Sequence, residues 1–153
     1  MAFNVSYSAG GTLDDVNTIR FIEGIHGFPL FLQPYNIMEC QEIPAMAGAY
    51  EVHVQMPDTP AELLGFSISC TGYGEMDNYD LWINDNQLFH HWYMQEVKEG
   101  LFIGSSTFVY RMLPKSLIRV VFNNESGRRK KLYVGVRALI PSAGQQIELE
   151  QQG

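Results

Sequence analysis

Between Ser116 and Ile140, apolar side chains recur at every second position on both sides of one polar break. Ile118, Val120 and Phe122 share one side of an extended segment, and Leu132, Val134, Val136, Ala138 and Ile140 share one side of the next, with NNESG at 123–127 between them. A period of two sends alternate side chains to opposite faces of a pleated strand, whereas a helix needs a repeat near 3.6. Two half-buried strands over 116–123 and 130–140 follow, and read together they predict a hairpin, the strongest strand pair in the chain.

The same alternation recurs elsewhere. Tyr50, Val52, Val54 and Met56 alternate with Glu51, His53 and Gln55 until Pro57 ends the strand. Phe66, Ile68 and Cys70 point inward from a strand at 65–71, and Phe3, Val5 and Tyr7 from one at 3–8. Residues 24–47, punctuated by Gly and Pro, are expected to carry at most short strands around 28–32 and 36–41, and further strands are expected at 78–84, 87–94, 100–104 and 106–112. Strand follows strand without the βαβ alternation of parallel sheets, so the fold class is mostly β, an antiparallel β-sandwich. Two departures are expected. Thr12-Leu13-Asp14-Asp15 has the form of a capping box with Asp for Glu, and Leu13, Val16, Ile19 and Ile22 keep helical spacing up to Gly24, predicting one short N-terminal helix at 13–23. Thr59-Pro60-Ala61-Glu62 predicts a single helical turn.

With 153 residues, 46% of them hydrophobic, the chain fits one domain spanning 1–153, closed by a polar tail at 141–153 that is expected to order only against another surface, such as a neighbouring subunit. The N-terminal MAFNVSYSAGG has no basic or apolar leader region, and no apolar run approaches the ~20 residues of a spanning helix, so neither export nor a membrane partner is expected. Cys40 and Cys70 are read as buried thiols rather than a bridge. A net charge of −7 argues against nucleic acid as partner. The charge is unevenly distributed: residues 1–97 hold one basic residue, Arg20, against thirteen acidic, a balance of −12, and residues 98–153 hold nine basic against four acidic, +5. Kept on separate faces, those signs would draw copies together head to tail; interleaved strands would mix them instead.

The stretch YDLWINDNQLFHHWY at 79–93 concentrates the surface chemistry. With Asp85-Asn86 at the tip of a two-residue turn, Trp82 faces Phe89, Asp80 faces His91 and Tyr79 faces Trp92. Tyr79, Leu81, Ile83, Leu88, His90 and Trp92 then share a core side, and Asp80, Trp82, Phe89, His91 and Tyr93 share an outward side with the composition of an interaction face. That outward set is the candidate binding or interface site. It offers three chemistries: burial against another subunit, a sugar platform of Trp82, Phe89 and Tyr93 oriented by Asp80 and His91, or an Asp80–His91 couple acting as a base. The last lacks a nucleophile motif and would require an activity lost in His91→Ala with the fold intact, so no catalytic residue is assigned.

Other groups carry less. Arg128, Arg129, Lys130 and Lys131 at the mouth of the 116–140 hairpin are read as a solvated strand end, with an anion or partner contact as the alternative. Glu75, Asp77, Asn78 and Asp80 supply oxygens for a cation but match no calcium-loop pattern. His90 and His91, as neighbours on a strand, are expected on opposite faces, so no metal site and no cofactor are predicted. Glu96 and Glu99 are read as an exposed loop rather than a glycosidase pair.

YDLWINDNQLF, followed by SLIRVVFNNESGRRKKLYVGVRALI, resembles the strand-turn-strand texture of jelly-roll sandwiches found in carbohydrate-binding modules and in accessory virion proteins of tailed bacteriophages. The resemblance spans about 60 residues at 79–140 and implies a fold more than a function. The carbohydrate-binding modules usually carry Gly after the turn Asn, where this chain has Asp85-Asn86. The expectation is therefore a non-enzymatic structural component of a phage-like virion (a decoration, fibre or tail accessory protein), working as a homo-oligomer or with other structural subunits. Its location would be the virion, with the cytoplasm as alternative. The second expectation is a glycan-binding module using the same face.

Overall fold

The computed structural model describes residues 18–94 and 108–149. In chain order the strands are β1 (Thr18–Phe21), β2 (Gly24–Gly27), β3 (Gln33–Ile43), β4 (Gly48–Gln55), β5 (Ala61–Cys70), β6 (Asn78–Ile83), β7 (Asn86–Tyr93), β8 (Phe108–Met112), β9 (Leu117–Asn124), β10 (Lys130–Ile140) and β11 (Gln146–Leu149). Two antiparallel sheets pack together as a sandwich, one ordered β2-β8-β5-β10-β3 and the other β4-β9-β6-β7, and a parallel ribbon pairs β1 with β11. The expected fold class is present. No helix among the described residues is long and apolar enough to cross a membrane.

The core forms where the alternating faces of both sheets meet. Leu132, Val134, Val136 and Ala138 of β10 and Phe66 and Ile68 of β5 lie in one buried cluster with Val52 and Val54 of β4, Ile118, Val120 and Phe122 of β9, and Leu81 and Ile83 of β6. Each of the larger side chains contributes roughly 1.5–3 kcal/mol before chain entropy is set against it. In β5 the alternation slips once: Leu63 and Phe66 both point inward, and the slip coincides with a bulge opposite Arg137 and Ala138. A smaller cluster of Ile19, Phe21 and Phe31 joins the terminal ribbon to the sandwich, with the rings of Phe21 and Phe31 stacked at 5.7 Å.

Several expectations change. The faces of 116–123 and 130–140 are as expected, but β9 and β10 are not a hairpin: they belong to different sheets, so their apolar faces meet across the interior. The link at 125–129 is an arch over one end of the sandwich. Residues 18–21 are strand rather than the second half of a helix, while 13–17 lie outside the described residues. The helical turn at 59–62 is absent because Ala61 and Glu62 already pair with β8. Residues 28–32 form no strand, and 36–41 is the middle of the longer β3. In the tail, β11 lies against β1 of its own chain, so no second subunit is needed to order it. The expected strands at 3–8 and 100–104, and Glu96 and Glu99, fall outside the described residues.

The cysteines are free, Cys40 exposed and Cys70 half-buried, with burial pushing the Cys70 thiol up to about 11. They flank β10 on opposite sides, roughly 10 Å apart by two strand spacings and beyond disulfide reach. The uneven charge is mixed by strand interleaving. Glu42–Arg129, Glu51–Arg119, Asp58–Lys115, Glu62–Arg111 and Asp77–Lys130 each join an acid of the first half to a base of the second. The electrostatic case for head-to-tail association falls with that finding.

Candidate functional site

The β6–β7 hairpin turns one residue earlier than expected, at Asn84-Asp85. Asn84 takes the left-handed conformation at φ 52°, which Asn tolerates better than most residues. Its side chain fastens the turn to the start of β9, accepting from Leu117 N at 2.9 Å and donating to Ser116 Oγ at 3.1 Å. Ile83 pairs with Asn86 and Trp82 with Gln87. Two irregularities then restore the expected register at the open end, where Tyr79 pairs with Trp92 and Asn78 with Tyr93.

The second irregularity builds the site. Between the pairs Leu81–Phe89 and Tyr79–Trp92, one residue of β6, Asp80, stands opposite two of β7, His90 and His91. Such a bulge breaks the strict alternation of faces. His91 adopts φ 50°, and its backbone N–H donates to Asp80 Oδ1 at 2.6 Å. The two imidazoles, expected on opposite faces, lie with ring centroids 4.0 Å apart. The Nδ1 of each stands 3.4 Å from Asp80 Oδ1. One donor atom from each of the three residues lies within 4.8 Å of the other two. Both imidazoles are exposed, while the Asp80 carboxylate is largely shielded.

The five residues expected on one outward face divide. Asp80 and Trp82 alternate with buried Tyr79, Leu81 and Ile83, which places them on the outer side, and Tyr93 faces Asn78 on that side. Trp82 is half-buried, with the Arg119 guanidinium 5.2 Å above its ring. Phe89 turns the other way: opposite Leu81, it stacks on buried Phe66 at 5.5 Å and meets Tyr79 edge-on. Trp92 continues that stack to the surface, 5.2 Å from Phe89 and 41% exposed, while Tyr93 is 48% exposed. His90, expected in the core, is outside it. The slip at Leu81/Trp82 admits both Leu88 and Phe89 to the core edge, and the bulge at Asp80 releases His90.

The basic run does not act as a unit. Lys130 is buried, its ammonium 2.6 Å from Asn124 Oδ1, 2.6 Å from Ser126 Oγ, 2.8 Å from the Arg128 carbonyl and 3.4 Å from Asp77 Oδ2. It occupies the place where the acidic loop 75–80 suggested a cation. Burial pushes the Asp77 carboxyl up, but hydrogen bonds from Gly74 N, Ser126 N and Ser126 Oγ, with the Lys130 charge, outweigh it and hold Asp77 below the ordinary range. Arg128 donates to the Tyr73 carbonyl and Arg129 pairs with Glu42, while Lys131 is exposed on the next strand position. An anion site made of all four is excluded, since Lys130 is fully engaged inside.

A second buried pair escaped the sequence reading. Glu62 accepts from the backbone of Leu30 at 2.8 Å and Phe31 at 2.7 Å and pairs with Arg111 at 3.2 Å, tying segment 28–32 to the five-stranded sheet. Burial raises its carboxyl above the ordinary range against the pull of those donors. Glu62 looked like the acid of a helical turn, and no spacing signal linked it to Arg111.

The geometry defines a two-sheet antiparallel β-sandwich whose outer strand β7 carries an imidazole–imidazole–carboxylate cluster and two exposed aromatic rings. Its sequence matches the family model described as Domain of unknown function (DUF8551) over residues 34–143, and the chain belongs to that family. No curated protein matches it.

Proposed function

We propose that this protein works by binding rather than catalysis, as a repeated structural component of a phage-like particle in a decoration, fibre or tail accessory role. The carrying observation is β7. It is the last strand of its sheet among the described residues and presents Trp92 and Tyr93, exposed, on opposite sides of one strand. Aromatic side chains of this kind supply much of the energy of protein interfaces. Two irregularities interrupt the hydrogen-bonding ladder of β7, and such interruptions discourage strand addition, so contact is made through the rings rather than by extending the sheet. The virion assignment rests on the jelly-roll texture of residues 79–140.

The glycan reading is the weaker one. Its platform required Trp82, Phe89 and Tyr93 on one face, yet Phe89 packs inward and Arg119 covers a face of Trp82. Light scattering on the full chain, with tryptophan fluorescence during sugar titrations, tests both readings. A defined oligomer unresponsive to sugars supports assembly. A monomer at every concentration overturns it, and a saturable sugar response with it would restore the glycan module.

A further inference from the structure

We propose that Asp80, His90 and His91 form a binding site for a divalent transition-metal ion of the zinc class. The site stands on its own residues and does not require that copies associate. Two imidazole nitrogens and one carboxylate oxygen are donors that zinc, cobalt, nickel and copper take readily, whereas calcium and magnesium prefer all-oxygen shells. The spacing agrees. Two donors bound to one tetrahedral ion at about 2.1 Å lie about 3.4 Å apart. Asp80 Oδ1 is 3.4 Å from His90 Nδ1 and 3.4 Å from His91 Nδ1, which matches two edges of such a tetrahedron. One donor atom from each of the three residues lies within 4.8 Å of the other two, and the exposed rings are free to rotate to close the remaining edge.

The backbone supports the same conclusion. In a regular strand these neighbours would diverge, and the bulge with His91 at φ 50° is what sets both rings beside Asp80. Asp80 has two roles: it accepts the His91 N–H that holds the bulge, and it supplies the one charged donor. The amide nitrogen of Gln87, 3.1 Å from His90 Nδ1, is exposed and gives way when that nitrogen binds an ion. Three protein donors leave a fourth position facing solvent, open to water or to a donor from a bound molecule.

The test uses the full chain without a histidine tag, stripped with chelator, then titrated with Co²⁺ by visible absorption and with Zn²⁺ by calorimetry. The expected result is saturation at one ion per chain, cobalt bands of a low-symmetry site, and affinity at least about tenfold weaker in each of His90→Gln and His91→Gln. Asp80→Asn keeps an acceptor for the His91 N–H while removing the charge, and is expected to weaken binding with the fold intact by near-ultraviolet circular dichroism. His91→Gly, which suits the positive φ, is a second variant in which the fold persists and binding drops. His53→Gln, on β4 across the same sheet, leaves affinity unchanged. Absence of saturable binding in the wild-type chain, or binding undiminished in the His90→Gln/His91→Gln double variant, overturns the proposal.

Discussion

At the scale of single residues, Lys130 shows how far a side chain's role can depart from its surroundings in sequence. In RRKK it reads as one of four solvated cations, yet its ammonium is enclosed by oxygens and fixes Asp77 inside the arch between β9 and β10. Lys130→Met leaves a buried carboxylate without its partner, and urea unfolding is expected to show a loss of roughly 3–5 kcal/mol, partly recovered in Lys130→Met/Asp77→Asn. The pH dependence follows from the same pair. Asp77 is held below its ordinary value of 3.8, so its contribution is complete above that value and is lost as pH falls through the folded one. Asp77→Asn should therefore flatten the acid limb of a stability profile relative to wild type. Glu62 has the opposite sign, since its raised carboxyl favours folding below the ordinary value and that benefit fades as pH rises through the folded one. His91 is a different case. A non-glycine residue in the left-handed region costs about 1 kcal/mol or more, so His91→Gly is expected to raise stability by about 1 kcal/mol in the same assay. The bulge at His91 is not legible in the sequence, because one extra residue leaves no mark on an alternating pattern that is already mixed.

At the scale of elements, periodicity located strands well and their partners poorly. The run at 130–140 is legible in both its bounds and its inward face, because that face depends only on local alternation. Its partner is not legible, because alternation is the same for two strands in one sheet and for two strands meeting across a core, as β9 and β10 do. What decides between them is the arch at 125–129, held locally by Asn124 at the end of β9 and by Asp77, which lies 49 residues from its partner Ser126 in the chain. The short elements failed for a related reason. Thr59-Pro60-Ala61-Glu62 carries helix-start residues, but pairing with β8 and the Glu62 hydrogen bonds to Leu30 and Phe31 prevail over local propensity. Glu62→Ala removes those acceptors and strands a buried Arg111. The expected result is a loss of roughly 3–5 kcal/mol, with faster hydrogen exchange at the amides of Leu30 and Phe31.

At the scale of the whole molecule, the charge imbalance along the chain reflects topology rather than a polar surface. Acids of the first half meet bases of the second because β9 lies between β4 and β6, and β10 between β3 and β5. Several of these pairs are exposed and contribute little in water. Association through Trp92 and Tyr93, between copies that each carry a net charge of −7, should therefore not weaken with salt, with the solution mass holding or rising from low to high ionic strength. Tyr93→Lys, by contrast, should shift the mass toward the 17.4 kDa of one chain. The most direct test of the interaction edge uses Trp82→Phe, which leaves Trp92 as the sole indole of the chain. Acrylamide quenching of Trp92 and solution mass are followed together through a dilution series. The expected result is a shielded indole at high concentration that becomes accessible as the mass falls. An indole equally quenched at every concentration, in a chain that is monomeric throughout, would contradict it.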